Sequence, residues 1–317
     1  MDEPGDTELL VGLAALVVAL GVATAAFLRR RPGRVATAGA EGFGLSKVTV
    51  RWFQRHWRRN GVGFRDSVGY ERVPPPGRRR VTFVGDSFTA GHGVADVEAR
   101  FANRLRATHP AWDVQVFAEN GWDTADETAA VADATAHGVV LDVVVLVYTL
   151  NDVADLLPAW TAAERRLFAT PPPWPVRHSF FLSTLRARWL AATEPVVADY
   201  FGLVRDAADG PVWTTQVARL RGLRDDLVAA HGGRLLAVTF PFLHVLGPDY
   251  PFAAMHRALD ACWRDLGVPH LDLLPVFAGR RPADVVVNAR DPHPNAAAHA
   301  LAADAIGPFV ERAIDGR

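Results

Sequence analysis

From Val81 onward, short β-rich apolar runs alternate with segments of helical spacing, and this alternation restricts the chain to a parallel sheet covered by helices. The runs predict strands near 81–85, 113–118, 142–149, 234–240 and 269–273. Between the last two, Phe252, Met255, Leu259, Cys262 or Trp263, and Leu266 recur at three- and four-residue spacing, which predicts a helix with one apolar stripe. Met255 and Cys262 lie in that stripe and read as packing groups. A chain of 317 residues, 50% hydrophobic, has enough apolar surface for one large core. The expected architecture is therefore a three-layer α/β/α sandwich around a central parallel sheet.

The rhythm breaks between residues 153 and 212. Pro171-Pro172-Pro173-Trp174-Pro175 cannot continue a helix or a central strand, because proline lacks the amide hydrogen and fixes φ. A helix capped by His178 or Ser179 is expected after it. The segment reads as an insertion between the third and fourth strands, serving as a lid, an acyl-group pocket or an extra structural helix pair.

The N-terminal quarter has a different character. Leu9 to Leu28 is a stretch of 20 residues without a charge, about 30 Å of helix, the thickness of a bilayer's hydrocarbon core. A signal peptide should begin with basic residues, but Asp2, Glu3, Asp6 and Glu8 make this start acidic, so the stretch reads as a single-pass transmembrane anchor. The expected organisation is an anchor with flanks over 1–31, a basic and aromatic juxtamembrane segment over 32–78, and one domain over 79–317.

Residues 29–80 hold 14 basic and 3 acidic residues, a net of +11, whereas 81–317 hold 20 basic and 28 acidic, a net of −8. In the basic part Trp52, Phe53 and Trp57 interleave with Arg51, Arg55, Arg58 and Arg59. Such a composition suits a lipid headgroup region, and it suits equally a linker helix docked on the domain by its aromatics. Nucleic-acid binding would explain neither the anchor nor the serine block described next.

Ser87 sits in Gly85-Asp86-Ser87-Phe88-Thr89-Ala90-Gly91, directly after the run Val81-Thr82-Phe83-Val84. A serine where a buried strand gives way to a tight turn presents its hydroxyl at the rim of the sheet, where a nucleophile belongs. Gly121 follows a second strand-like run, Asn151 ends the run Val143 to Tyr148, and Asp291-Pro292-His293-Pro294-Asn295 lies near the C-terminus. Locally, Gly121 also suits a plain turn, Asn151 a helix or turn cap, and His293 a surface turn.

Taken together and in this order, the four blocks resemble the SGNH (GDSL-type) serine hydrolase superfamily over about residues 62–315. The resemblance implies Ser87 as nucleophile, His293 as general base and Asp291 as its orienter. It further implies an oxyanion hole from the backbone amides of Ser87 and Gly121 and the side-chain amide of Asn151. Two positions depart from the family pattern. Thr149 stands where a glycine is usual before Asn151, and Asp291 is two residues before the histidine where three is common. The stretch Asn60 to Asp66 also resembles one found ahead of the serine block in bacterial relatives, where it packs against the domain.

The resemblance implies hydrolysis of a carboxylic ester through an acyl-enzyme, on an ester-bearing lipid, glycan or small molecule, with no cofactor and no metal. The same residues would also serve an O-acetyltransferase or deacetylase of envelope polysaccharide, and a non-catalytic tethered binding protein would keep the fold. Neither phosphate-loop pattern is completed at the Gly-Asp-Ser glycines. The single Cys262 allows no intramolecular disulfide and no cysteine-based zinc site. His92 lies near Ser87, but no second and third ligand adjoin it in the sequence. His299 is expected on the last helix, either behind the catalytic residues or in a structural role. The arginines 29–31 and 34 after the apolar stretch place the domain in the cytoplasm by the positive-inside rule, whereas the resemblance places it outside. The oligomeric state is not legible.

Overall fold

The computed structural model describes residues 11–22, 47–168, 171–231 and 233–315. Its elements in chain order are α1 (Lys47–His56), β1 (Arg79–Gly85), α2 (Ser87–Ala90), α3 (Phe101–Thr108), β2 (Trp112–Ala118), α4 (Thr124–Ala136) and β3 (Val143–Thr149). They continue as α5 (Pro158–Phe168), α6 (Phe180–Thr193), α7 (Gly210–His231), β4 (Arg234–Phe240), α8 (Ala253–Asp265), β5 (His270–Asp272), β6 (Val286–Asn288), β7 (Asp291–Pro294) and α9 (Ala296–Asp315).

β1 to β5 form a parallel sheet in the order β2-β1-β3-β4-β5. All seven residues of β3 are buried, which requires cover on both faces of the sheet and explains its unbroken Val143-Val144-Val145-Leu146-Val147 run. α3 packs with α9, and α4 packs with α7. The stripe expected on α8 buries Met255, Leu259, Cys262 and Trp263.

The chain leaves β1 for β2 on one side and returns to β3 on the other, so the strand order reverses at β1. In an open parallel sheet the crevice at such a reversal, outside the carboxyl ends of the strands, is where ligands bind. Ser87 follows β1, Gly121 follows β2 and Asn151 follows β3, so all three lie at that rim. Asp291 and His293 arrive on β7, which pairs antiparallel with β6 in a two-stranded ribbon that the sequence did not signal.

The insertion folds as α5, α6 and short helices over Trp174–His178, Pro195–Ala198 and Tyr200–Asp206. Ser179 is the cap of α6, its Oγ accepting the Leu182 amide at 3.2 Å. The long α7 follows the insertion, beginning at Gly210.

The basic and aromatic segment docks on the domain. Trp52 of α1 is buried and Phe53 and Trp57 are half-buried, while Arg55, Arg58 and Arg59 remain exposed. Of the apolar stretch Leu9 to Leu28, residues 11–22 are helical, and its two ends lie outside the described residues, as do the arginines 29–31 and 34. Among the described residues no helix is long and apolar enough to cross a membrane.

Candidate active site

The Gly-Asp-Ser turn is built by Asp86, which caps α2 by accepting the Phe88 amide on Oδ1 at 2.9 Å. The same oxygen accepts the Thr149 hydroxyl at 3.0 Å, and Oδ2 accepts the Asn151 side-chain amide at 3.4 Å. Thr149, standing where the resemblance expects glycine, thus ties the end of β3 to the serine turn. Asp152 turns back so that its Oδ2 accepts the Thr149 amide at 2.8 Å, fixing the turn that presents Asn151. Burial pushes the Asp86 carboxyl up. Burial, and then the charges of Glu127 and Asp86, push Asp152 well above the ordinary carboxylate range.

Across the rim, His293 Nε2 lies 2.8 Å from Ser87 Oγ, and His293 Nδ1 lies 2.5 Å from Asp291 Oδ1. Asp291 Oδ1 also accepts the His293 amide at 3.2 Å, so the two-residue spacing closes a local ring that orients the imidazole. All three side chains are buried. Burial opposes charge on Asp291, but the His293 charge and hydrogen bonds outweigh it and hold the carboxyl below its usual range.

Ser87, Gly121, Asn151 and His293 line one cavity of about 870 Å³. Gly121 has φ +76°, a conformation that favours glycine. The insertion contributes Trp160, Tyr200 and Phe201 to the cavity wall, Phe242 follows β4, and Phe53 comes from α1. Tyr200 and Asn151 both line this cavity, so the insertion meets the rim there. Nothing in the sequence marked Tyr200, because the residues it faces lie far away along the chain.

His92 is the other residue that local reasoning undervalued. Its ring stacks on His293 with centroids 4.1 Å apart and planes at 13°, and Trp52 stacks on His92 at 5.7 Å and 16°. His92 Nε2 is 3.5 Å from Asp291 Oδ2, and Nδ1 is 3.2 Å from Asn120 Oδ1. Burial first, then the neighbouring His293, lower His92 to about 3, so this imidazole is neutral. The fold therefore does bring two potential ligands to His92, since donor atoms of His92, Asp291 and His293 lie within 4.8 Å of one another. They do not fit a tetrahedral metal. The nearly parallel rings send their in-plane lone pairs alongside each other instead of toward a common centre, and both His293 nitrogens are already engaged.

Arg65, in the stretch preceding β1, explains how the His92 loop is held. Its guanidinium donates to the carbonyls of Ala90, Gly91 and Val94 and lies over the Trp57 ring at 4.8 Å. His299 is buried on α9 and stacked against Phe101.

A parallel-sheet α/β fold with a serine, a histidine and an aspartate meeting at the strand-order reversal defines the class: an ester-hydrolysing enzyme. The chain belongs to the GDSL-like lipase/acylhydrolase family, whose model matches residues 83–301. No curated protein matches it. Among solved structures it is similar to an α/β hydrolase enzyme from the metagenome of Lake Arreo, Spain, at 15% identity and TM-score 0.47, covering 73% of this chain and 94% of that one. It is also similar to an extracellular lipase of Streptomyces rimosus at 16% identity and TM-score 0.46, covering 73% and 98%. A catalytic mutant of an acetylxylan esterase from Geobacillus stearothermophilus is similar at 14% identity and TM-score 0.47, covering 73% and 93%.

Proposed function

We propose that the protein is a serine esterase that cleaves a carboxylic ester through an acyl-enzyme, with Ser87 as nucleophile. The observation that carries this reading is the 2.8 Å contact between Ser87 Oγ and His293 Nε2, continued at 2.5 Å to Asp291 Oδ1. Ser87 Oγ attacks the ester carbonyl as His293 Nε2 takes its proton, and Asp291 stabilises the imidazolium that forms. The backbone amides of Ser87 and Gly121 and the Asn151 side-chain amide receive the developing oxyanion. His293 returns the proton to the departing alcohol, and a water activated by the same imidazole then releases the acid.

The aromatic wall of Trp160, Tyr200, Phe201 and Phe242 supports an acyl group longer than acetyl. Leu9 to Leu28 supports tethering of the enzyme to a membrane.

Hydrolysis of p-nitrophenyl acetate, butyrate and octanoate by the full chain and by Ser87→Ala tests the reading. Loss of turnover in the variant, with fluorophosphonate labelling of the wild type at Ser87, is the expected result. Equal turnover by both proteins would remove Ser87 from the chemistry.

A further inference from the structure

α6 is apolar on two opposite sides. Its sequence, FFLSTLRARWLAAT, buries Ser183, Ala187 and Leu190 against the domain. At helical spacing the opposite side carries Phe181, Leu185 and Trp189, and there Leu185 is 54% and Trp189 60% exposed. In the short helix before α6, Trp174 is 65% exposed. A helix with apolar side chains on two opposite sides normally has cover on both or faces lipid, and exposed apolar side chains on one side mark an interaction surface.

The charge along this stretch is almost all of one sign, because Glu194 at the C-cap of α6 is paired with Arg166. From Pro171 to Thr193 the basic residues are Arg177, Arg186 and Arg188, with no acidic residue. α1 packs against α6 and adds Lys47, Arg51 and Arg55, again without an acidic residue. Lys47 and Arg51 lie over the Phe180 ring at 5.0 and 5.6 Å. The helical residues 11–22 reach the same place, since Gly21 lies against Ser179 at the start of α6. Exposed tryptophans and leucine, with Arg186 and Arg188 beside Leu185 and Trp189 along the helix and further cations on the adjoining α1, form the composition that sits at the headgroup boundary of an anionic bilayer.

We propose that the exposed side of α6, with Trp174 and the neighbouring α1 cations, rests on an anionic lipid surface. Trp189, Leu185 and Trp174 enter the headgroup and upper acyl region, and the arginines meet lipid phosphates. The surface is distinct from the serine site and needs none of its chemistry. The insertion that carries α6 also supplies Trp160, Tyr200 and Phe201 to the cavity, so docking would bring the cavity wall close to lipid.

The test uses the full chain in a Cys262→Ala background, with Leu185→Cys carrying a nitrobenzoxadiazole label. Esterase turnover serves as the folding control. The protein is mixed with vesicles of phosphatidylcholine and phosphatidylglycerol, or of phosphatidylcholine alone, and recovered by flotation. Expected are a blue shift and at least a twofold rise in label emission on the anionic vesicles, weakened in molar salt. The same label at Arg264→Cys, on α8, should show no change. Independently, brominated lipid should quench the tryptophan emission of the unlabelled wild type more strongly than that of Trp189→Phe.

A floating protein whose label at 185 stays water-exposed overturns the proposal and leaves the tether reading intact. Equal response to both lipid mixtures overturns the anionic assignment. Emission already blue-shifted without lipid overturns it too, and assigns the side to a second copy if the shift depends on concentration, or to residues 23–46 if it does not. Loss of esterase activity in Ser87→Ala with the lipid response unchanged would separate the two readings cleanly.

Discussion

The rings of His92 and His293 lie face to face, 4.1 Å apart and 13° from parallel. His92 therefore packs on the imidazole that touches Ser87 and approaches the carboxylate that orients it. A neutral ring there fills space without adding charge next to a base that must accept a proton. His92→Ala is expected to lower kcat by about ten- to a hundredfold through loss of alignment. His92→Phe, which keeps the stack, should retain most of the rate. Full activity in His92→Ala would show that Asp291 alone holds His293 in place.

Thr149→Val removes one of the hydrogen bonds to buried Asp86 while keeping the shape of the side chain. The variant should lose about 1–3 kcal/mol of stability, read from urea unfolding, because the carboxyl remains buried with one donor fewer. Its activity should fall as well, since the same carboxyl caps α2 and accepts the Asn151 amide.

Gly85 and Gly121 should respond to alanine in opposite ways. A Cβ on Gly85 would come within 2.3 Å of Thr89 Oγ1 and 2.9 Å of the Val147 carbonyl, so Gly85→Ala should unfold or express poorly. A Cβ on Gly121 meets nothing within 4 Å, but its φ of +76° costs about 1–2 kcal/mol for an L side chain. Gly121→Ala should fold and lose turnover as its amide shifts. Comparison of thermal midpoints and esterase rates separates the two effects.

His299, lowered to about 3 by burial and then by Arg100, favours its neutral form in the folded state. An unfolded histidine titrates near 6.5, so this contribution is present above pH 6.5 and is lost progressively as pH falls toward 3. Buried Asp152 works in the opposite direction, because its raised carboxyl gives up stability as pH rises through the carboxylate range. The variant His299→Phe isolates the histidine contribution. Between pH 7.5 and 5 it should lose about 2 kcal/mol less stability than the wild type, measured by urea unfolding at each pH.

β1, β3 and β4 were legible because each is a run rich in apolar and β-branched residues, and β3, buried on both faces, declares itself by five such residues in succession. The serine turn was legible for a related reason: glycine and a capping aspartate around a serine have local consequences that need no partner. The ribbon β6-β7 was not legible, because its two strands are three and four residues long and Pro292 and Pro294 have no amide hydrogen to give a ladder, so the run does not read as a strand even though its prolines favour an extended backbone. The aromatics of α1 were readable as membrane-facing or domain-facing, and the buried Trp52 beside His92 favours the domain.

What the sequence determined by itself is the α/β alternation, the serine at a strand end, and the set of side chains available for ester chemistry, since periodicity and turn preference are properties of neighbouring residues. Tertiary structure alone decided that His293 Nε2 meets a hydroxyl 206 residues away, that Tyr200 and Asn151 face one cavity, and that Trp52 and His92 stand behind the base. Those contacts depend on strand order and helix packing, and the free energy that selects them is the burial of one shared core, which no single segment encodes.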